Sequence, residues 1–295
     1  MNGWQNLSDL TKNISQDGTT KSEYERVKFI VDCENEQEGD LNEFDHIDCP
    51  ICRNKGRIAY VQKNEWYKDS EEYDIVYSFC SCWKKRQNYR KIANTNLGKE
   101  NVNKKIKDYI VTTQWQNDFK KRIIDYCKET SFENEKNSWL LLCGSSGCGK
   151  SLLCCIVANN YVFNFDKDIE IIVWNDFINE VKSFNRGSEE TYRARQMLND
   201  IKNVDVLVID ELFKGNYTDR DRDYANDIIN YRYNLKLPTI ISTERTFKEL
   251  LDINEATFSR VFAMTQNGRF ILKRPKIQGK NFNFRLQSEL GLDDE

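Results

Sequence analysis

Residues 139–143 form an unbroken apolar run, Gly144-Ser145-Ser146-Gly147-Cys148-Gly149-Lys150-Ser151 follows at once, and a second apolar stretch, 152–158, comes next. A buried strand, a glycine-rich turn and a helix opening on Gly-Lys-Ser, in that order, are what a phosphate-binding loop requires. Glycines let the backbone curl so that several N–H groups face one anion. Lys150 brings a mobile positive charge to the β and γ phosphates, and Ser151 offers a hydroxyl to Mg²⁺. The implied ligand is a nucleoside triphosphate. A glycine turn that binds nothing is the plain alternative, but strand and helix both fall where the motif needs them.

Val204-Asp205-Val206-Leu207-Val208-Ile209-Asp210-Glu211 reads as a second buried strand, ending in two carboxylates. Phosphoanhydride hydrolysis uses such a pair: Asp210 to hold Mg²⁺, usually through water, and Glu211 to polarise the attacking water. Acidic residues at a strand end are commonplace by themselves; the glycine turn upstream gives these two a shared task. Pro238-Thr239-Ile240-Ile241-Ser242-Thr243-Glu244 is another buried strand, whose polar end should lie beside Asp210 in a parallel sheet and orient the lytic water.

The cysteines carry a separate signal. Cys49-Pro50-Ile51-Cys52 is answered, after alternating apolar residues, by Cys80-Ser81-Cys82. Two close pairs of thiolates can complete a tetrahedral S₄ site, for which zinc is the expected metal. A closed four-thiolate site leaves no open position, so its role would be structural. Free core thiols or redox thiols are the alternatives. His46, the sole histidine, could replace one cysteine but reads better as an exposed loop residue. Ten cysteines in all could suggest a secreted disulfide scaffold, yet Cys143, Cys154 and Cys155 sit in apolar strand and helix, which suits a reducing cytoplasm.

A chain of 295 residues exceeds one average domain. The boundary is expected near 95–105, giving a zinc-binding domain over 1–100 and a nucleotide-binding domain over 101–295. Net charge of −3 provides no global field for nucleic acid, so any DNA contact needs a local patch. Residues 1–13 are polar and mixed in charge, unlike a secretory leader, and no apolar run approaches a membrane span. The basic stretch 83–92 reads as a solvated linker in preference to a DNA arm. Helices are expected at 22–33, 115–128, 189–201, 219–235 and 257–264, with another after a strand at 170–174 and capped by Asn175. Strands are expected near 269–272 and 281–286, and acidic residues close the chain at 291–295.

This succession resembles the ASCE division of P-loop ATPases, and within it AAA+ replicative helicase loaders of the DnaC/DnaI type, especially phage-encoded forms. The residues that carry the likeness are Ile209-Asp210-Glu211-Leu212-Phe213-Lys214-Gly215, Asn230-Tyr231-Arg232-Tyr233 ahead of 237–242, and Glu255-Ala256-Thr257-Phe258-Ser259-Arg260. It covers about residues 105–290, and the four-cysteine module looks like the helicase-binding head of the DnaI type. The resemblance implies a three-layer α/β/α AAA+ domain with a parallel central sheet, preceded by a small zinc-binding α+β domain. It makes 144–151 the ATP cradle, Asp210 and Glu211 the Walker B pair, and Arg260 an arginine finger acting in a neighbour's site within a ring or spiral. A surface salt bridge is the plainer reading of Arg260. Lys182, Phe184, Arg186, Arg193 and Arg195, with Tyr192, correspond to the insertion that contacts single-stranded DNA, though an ordinary solvated helix would look the same.

One departure stands out. Glu244 occupies the place of the asparagine that relatives use as first sensor, so either Ser242 or Thr243 takes that role or hydrolysis is slow. The implied activity is slow, assembly-dependent ATP hydrolysis, with ATP, Mg²⁺ and Zn²⁺ as cofactors and a DnaB-type helicase hexamer as partner. A transposition helper of the IstB type and a nucleotide-switched adaptor without turnover are the alternatives.

Overall fold

Among the described residues the first helix, α1 (Glu23–Glu36), starts where its sequence provides a reciprocal cap: Ser22 accepts the N–H of Glu25, and the Glu25 carboxylate accepts the N–H of Ser22. The computed structural model describes residues 22–64, 72–95, 101–129, 139–184 and 188–275. The expected tail over 1–20, the strand at 281–286 and the acidic 291–295 lie outside them. Two compact units divide the chain at Trp83/Lys84, ahead of the 100/101 boundary expected from sequence.

In the first unit α1 and the short α2 (Leu41–Asp45) precede an antiparallel hairpin of β1 (Arg57–Lys63) and β2 (Tyr73–Phe79), in register from Arg57 opposite Phe79 to Lys63 opposite Tyr73. Asn35 of α1 bonds both backbone groups of Ala59, at 2.9 and 3.0 Å, fixing helix to hairpin. Among the described residues, the buried apolar side chains of this unit are Val31, Ala59 and four cysteines. That is too little core to hold a fold by burial alone.

α3 (Cys82–Ala93) begins at a cysteine of the first unit and runs on in the second. From Lys84 onward it is not the solvated linker expected from its charges. Arg86, Tyr89, Ile92 and Ala93 are buried, Lys84 pairs with Asp168 at 3.4 Å, and Lys91 pairs with Glu170 at 3.0 Å. Asn88 and Lys91 also bond the edge-facing backbone of Ile169. A helix whose basic residues meet acids and strand-edge carbonyls on one side docks; composition alone could not reveal those partners.

The second unit continues through α4 (Gln114–Glu129), β3 (Leu140–Cys143), α5 (Lys150–Phe165), β4 (Ile169–Val173), α6 (Trp174–Ser183), α7 (Ser188–Asn203), β5 (Val206–Asp210), α8 (Asp219–Asn234), β6 (Thr239–Thr243), α9 (Phe247–Ile253), α10 (Glu255–Met264) and β7 (Ile271–Lys273). Five strands form one parallel sheet in the order β4-β5-β6-β3-β7. β3, β5 and β6 are buried at every residue, as strands covered on both faces must be. Each Leu or Ile so buried stabilises by about 1.5–3 kcal/mol. β6 lies between β3 and β5, which brings the turn after β3, the acids ending β5 and the hydroxyls ending β6 to one edge of the sheet.

Asn175 does not cap α6. That helix springs directly from β4 with Val173 at its N-cap and no side-chain cap bond, and Asn175 instead donates to the carbonyl of Lys214 at 3.1 Å.

Candidate nucleotide-binding and metal sites

The turn between β3 and α5 needs its glycines. Gly147 and Gly149 have φ of 73° and 86°, in the left-handed region, and a Cβ on Gly149 would lie 3.2 Å from the Tyr109 ring. α5 therefore opens with unsatisfied N–H groups and its dipole aimed at the concavity. Lys150 is largely buried, its Nζ donating to the carbonyls of Gly144 and Ser145 at 2.8 and 2.9 Å. Cys148 is buried beneath the loop and Ser145 receives a bond from Arg274.

Opposite the turn, Asp210 is buried at the end of β5 and accepts two hydroxyl bonds, one from Ser151 at 2.9 Å and one from Ser242. Ser242 also accepts the N–H of Glu211 at 3.0 Å. Thr243 turns away to the carbonyl of Leu212, so Ser242 is the strand-end hydroxyl that reaches the acids. Glu211, with φ of 59°, projects its carboxylate to Lys214 Nζ at 2.7 Å. Donating that bond to Glu211 outweighs burial and raises Lys214 above its ordinary range, with Glu244 and Asp210 adding to the effect.

A cavity of about 830 Å³, large enough for a nucleotide, is lined by Ser146, Gly147, Gly149, Lys150, Ser151, Asp210, Glu211 and Lys214 on the phosphate-binding side. Asn101, Asp108, Tyr109, Ile110, Thr112 and Gln116 line another wall. Gln116 Oε1 receives N–H and hydroxyl bonds from both Thr112 and Thr113 at 2.8–2.9 Å, which pins that wall to α4. Burial, with Cys148 adding, pushes the Tyr109 hydroxyl well above its ordinary range. The residues fit a magnesium-bound triphosphate: a positive loop, and a hydroxyl and carboxylate already 2.9 Å apart where the metal would be held.

Glu244 is half-buried beyond the end of β6 and does not line the cavity. Arg260 lies along its own helix, donating to Ala256 O at 2.6 Å with its guanidinium over the Tyr233 ring, away from this cavity. The other arginines near it in sequence serve the fold: Arg269 pairs with Glu129, and Arg245 bonds the carbonyls of Phe213 and Gly215. Of the expected DNA contacts, Lys182 is paired with Asp221 and Phe184 packs against the core. Tyr192, Arg193 and Arg195 are exposed on α7, and Arg186 lies outside the described residues. Lys214, Tyr109 and Gln116 carried no role in the sequence reading; Lys214's place three residues after Glu211 was the available signal.

In the first unit the four sulfurs of Cys49, Cys52, Cys80 and Cys82 lie within 4.8 Å of one another and all are buried. Cys49 and Cys80 are 3.7 Å apart, Cys52 and Cys82 3.5 Å. Tetrahedral Zn–S bonds of about 2.3 Å place sulfurs about 3.8 Å apart, so the set fits zinc. Cys52 accepts the N–H of Gly56, and Asn54, at φ 66°, accepts that of Cys49. Burial pushes the Cys49 thiol up, but N–H bonds from Cys52 and Ile51 outweigh it and bring it to about 7, favouring the thiolate a metal needs. His46 is exposed and stands outside the cluster.

Comparison with known proteins agrees with this geometry. Residues 75–288 match the family described as IstB-like ATP binding protein. The chain is 24% identical over 269 residues to the uncharacterized protein YqaM of Bacillus subtilis, covering 78% of this chain and 84% of that one. It is 26% identical to the phage-like element PBSX protein XkdC of Bacillus subtilis over 77% and 82% of the two chains. The replicative helicase loader DnaC of Escherichia coli is 31% identical over 107 residues, 36% of this chain and 42% of that protein. Among solved structures, the DnaC helicase loader superposes with a TM-score of 0.50 at 23% identity, over 60% of this chain and all of that one. That likeness shows the fold, the three-layer AAA+ α/β architecture expected from sequence.

Proposed function

The chain belongs to the IstB-like ATP-binding protein family, and on that premise we propose that it is an ATP-dependent loader of a replicative DNA helicase onto single-stranded DNA. The observation that carries the ATPase part is the 2.9 Å bond between Ser151 and Asp210, which joins two distant motifs in one cavity with Lys150 and Glu211. The loop N–H groups and Lys150 hold the phosphates, while Ser242 fixes the Asp210 carboxylate. Mg²⁺, held by Ser151 and Asp210, would neutralise charge on the β and γ phosphate oxygens. Glu211 takes a proton from water as the water oxygen bonds to the γ-phosphorus; the bond to the bridging oxygen breaks and leaves ADP and phosphate.

Arg260, remote from its own cavity, acts on that of a neighbouring subunit in a ring or spiral. Tyr192, Arg193 and Arg195 present a ring and two charges to single-stranded DNA, whereas Lys182 and Phe184 are engaged within the fold. The first unit, whose four cysteines would hold zinc, grips the helicase hexamer in the cytoplasm. That dedicated head favours a loader over a transposition helper.

Phosphate release by the full-length protein, with and without single-stranded DNA and beside Lys150→Ala, tests the enzyme. Turnover that rises with DNA and vanishes in the variant is expected; none in either protein leaves a nucleotide-switched adaptor. Retention of a hexameric replicative helicase on the full-length protein tests the loader, and ATP-dependent binding of duplex DNA without helicase retention would point to the transposition helper.

A further inference from the structure

Lys214 has no part in the scheme above, yet its surroundings are built. Left-handed backbone at Glu211 and Phe213, φ 59° and 55°, curls the chain so that residue 214 returns to residue 211, with Lys214 N–H bonded to Glu211 O at 3.0 Å. Such conformations are costly for side chains of this size and persist where surrounding bonds impose them. Two braces do so: Asn175 of α6 holds the carbonyl of Lys214, and Arg245 beyond β6 holds those of Phe213 and Gly215. The ammonium is thereby presented to the cavity that Lys150 also lines.

Its partner there is Glu211, at 2.7 Å. A carboxylate that must accept a proton from water is occupied while it holds an ammonium. A terminal phosphate carries more charge than a carboxylate and enters the same cavity, so it competes for Lys214; a diphosphate lacks that group. Resting on the proposed nucleotide site, we propose that Lys214 is a γ-phosphate-responsive latch on Glu211. It holds the carboxylate until a nucleoside triphosphate binds, then passes to the terminal phosphate and frees Glu211 for the water.

The test is equilibrium binding of a non-hydrolysable ATP analogue and of ADP, both with Mg²⁺, to the full-length protein. Lys214→Met is expected to weaken the analogue about tenfold, as loss of one charge-assisted bond requires, with ADP changed less than about twofold. Lys214→Arg should keep the discrimination. Glu211→Gln removes the competing charge and should tighten the analogue selectively by about threefold, a gain that disappears when Lys214→Met is added. Equal loss for both nucleotides, no loss for either, or a Glu211→Gln gain that survives without Lys214 overturns the latch while the nucleotide site stands. Failure of the unmodified protein to bind either nucleotide overturns the site and the latch together.

Discussion

Replacing Arg232 with methionine should unfold the second unit at a markedly lower temperature while leaving its nucleotide chemistry intact. The guanidinium is wholly buried, and it donates to Ile201, Lys202, Val204 and Pro238 carbonyls at 3.0, 3.0, 2.9 and 2.7 Å and to the Thr239 hydroxyl at 2.9 Å. Methionine fills similar space but donates nothing. Pro238 O keeps the N–H of Leu207 and Asp205 O is reached only at 3.4 Å, whereas the carbonyls of Ile201, Lys202 and Val204 are stranded at about 1–1.5 kcal/mol each, so about 4 kcal/mol in total. For a unit of this size that is a fall of about 12 °C in melting temperature. Arg232 sits where β5 and β6 begin, and Asp210 and Ser242 lie near the other ends of those strands, about 10–13 Å away at about 3.3 Å per residue. Nucleotide affinity measured well below the transition should therefore stay within about twofold. Thermal melting followed by circular dichroism, paired with nucleotide binding, reads both quantities. A melting temperature within about 3 °C of the unmodified protein would refute the accounting, because it would mean those carbonyls find other donors.

Chelation of zinc, or Cys52→Ser, should unfold the first unit, whose other buried apolar residues are few, and leave the second intact; limited proteolysis confined to residues before 84, with nucleotide binding preserved, is the expected readout. Ser242→Ala removes the donor to Asp210 and the acceptor for Glu211 N–H, and should weaken Mg²⁺-dependent nucleotide binding about tenfold in a titration of Mg²⁺ at fixed nucleotide. Asp221 is raised by burial but lowered more by Lys182 and Thr218, ending below its ordinary value near 3.8. A depressed folded pKa means stability that is present above about pH 4 and lost as pH falls through the folded value. Asp221→Asn should accordingly melt lower at neutral pH and lose less than the unmodified protein on acidification below pH 4.

The phosphate-binding turn was legible because its chemistry is local: glycine freedom, a lysine and a hydroxyl within eight consecutive residues. Buried strands were legible for the same reason, since apolar runs bounded by polar ends mark them, and the ends came out within a residue or two. The spacing of four cysteines likewise announced a thiolate cluster whose sulfurs do converge.

Side-chain partners far apart in sequence were not legible. Nothing in the basic stretch of α3 indicates that Asp168 and Glu170 await it, nor that Arg86 is fully buried. Lys182 and Phe184 read as DNA contacts until Asp221 and the core claim them. Asn175 looked like a cap, yet it braces Lys214, which is 39 residues further along the chain. Arg232 was visible only as part of a family likeness, and the carbonyls that explain it come from two separate segments, 201–205 and the turn at Pro238. By itself the sequence determined the strands, the glycine-rich phosphate-loop motif and the cysteines that converge, because each depends on residues close together along the chain. Tertiary structure alone decided which charges are spent inside the fold and which face the cavity, because a charge takes its meaning from the group that packing sets opposite it.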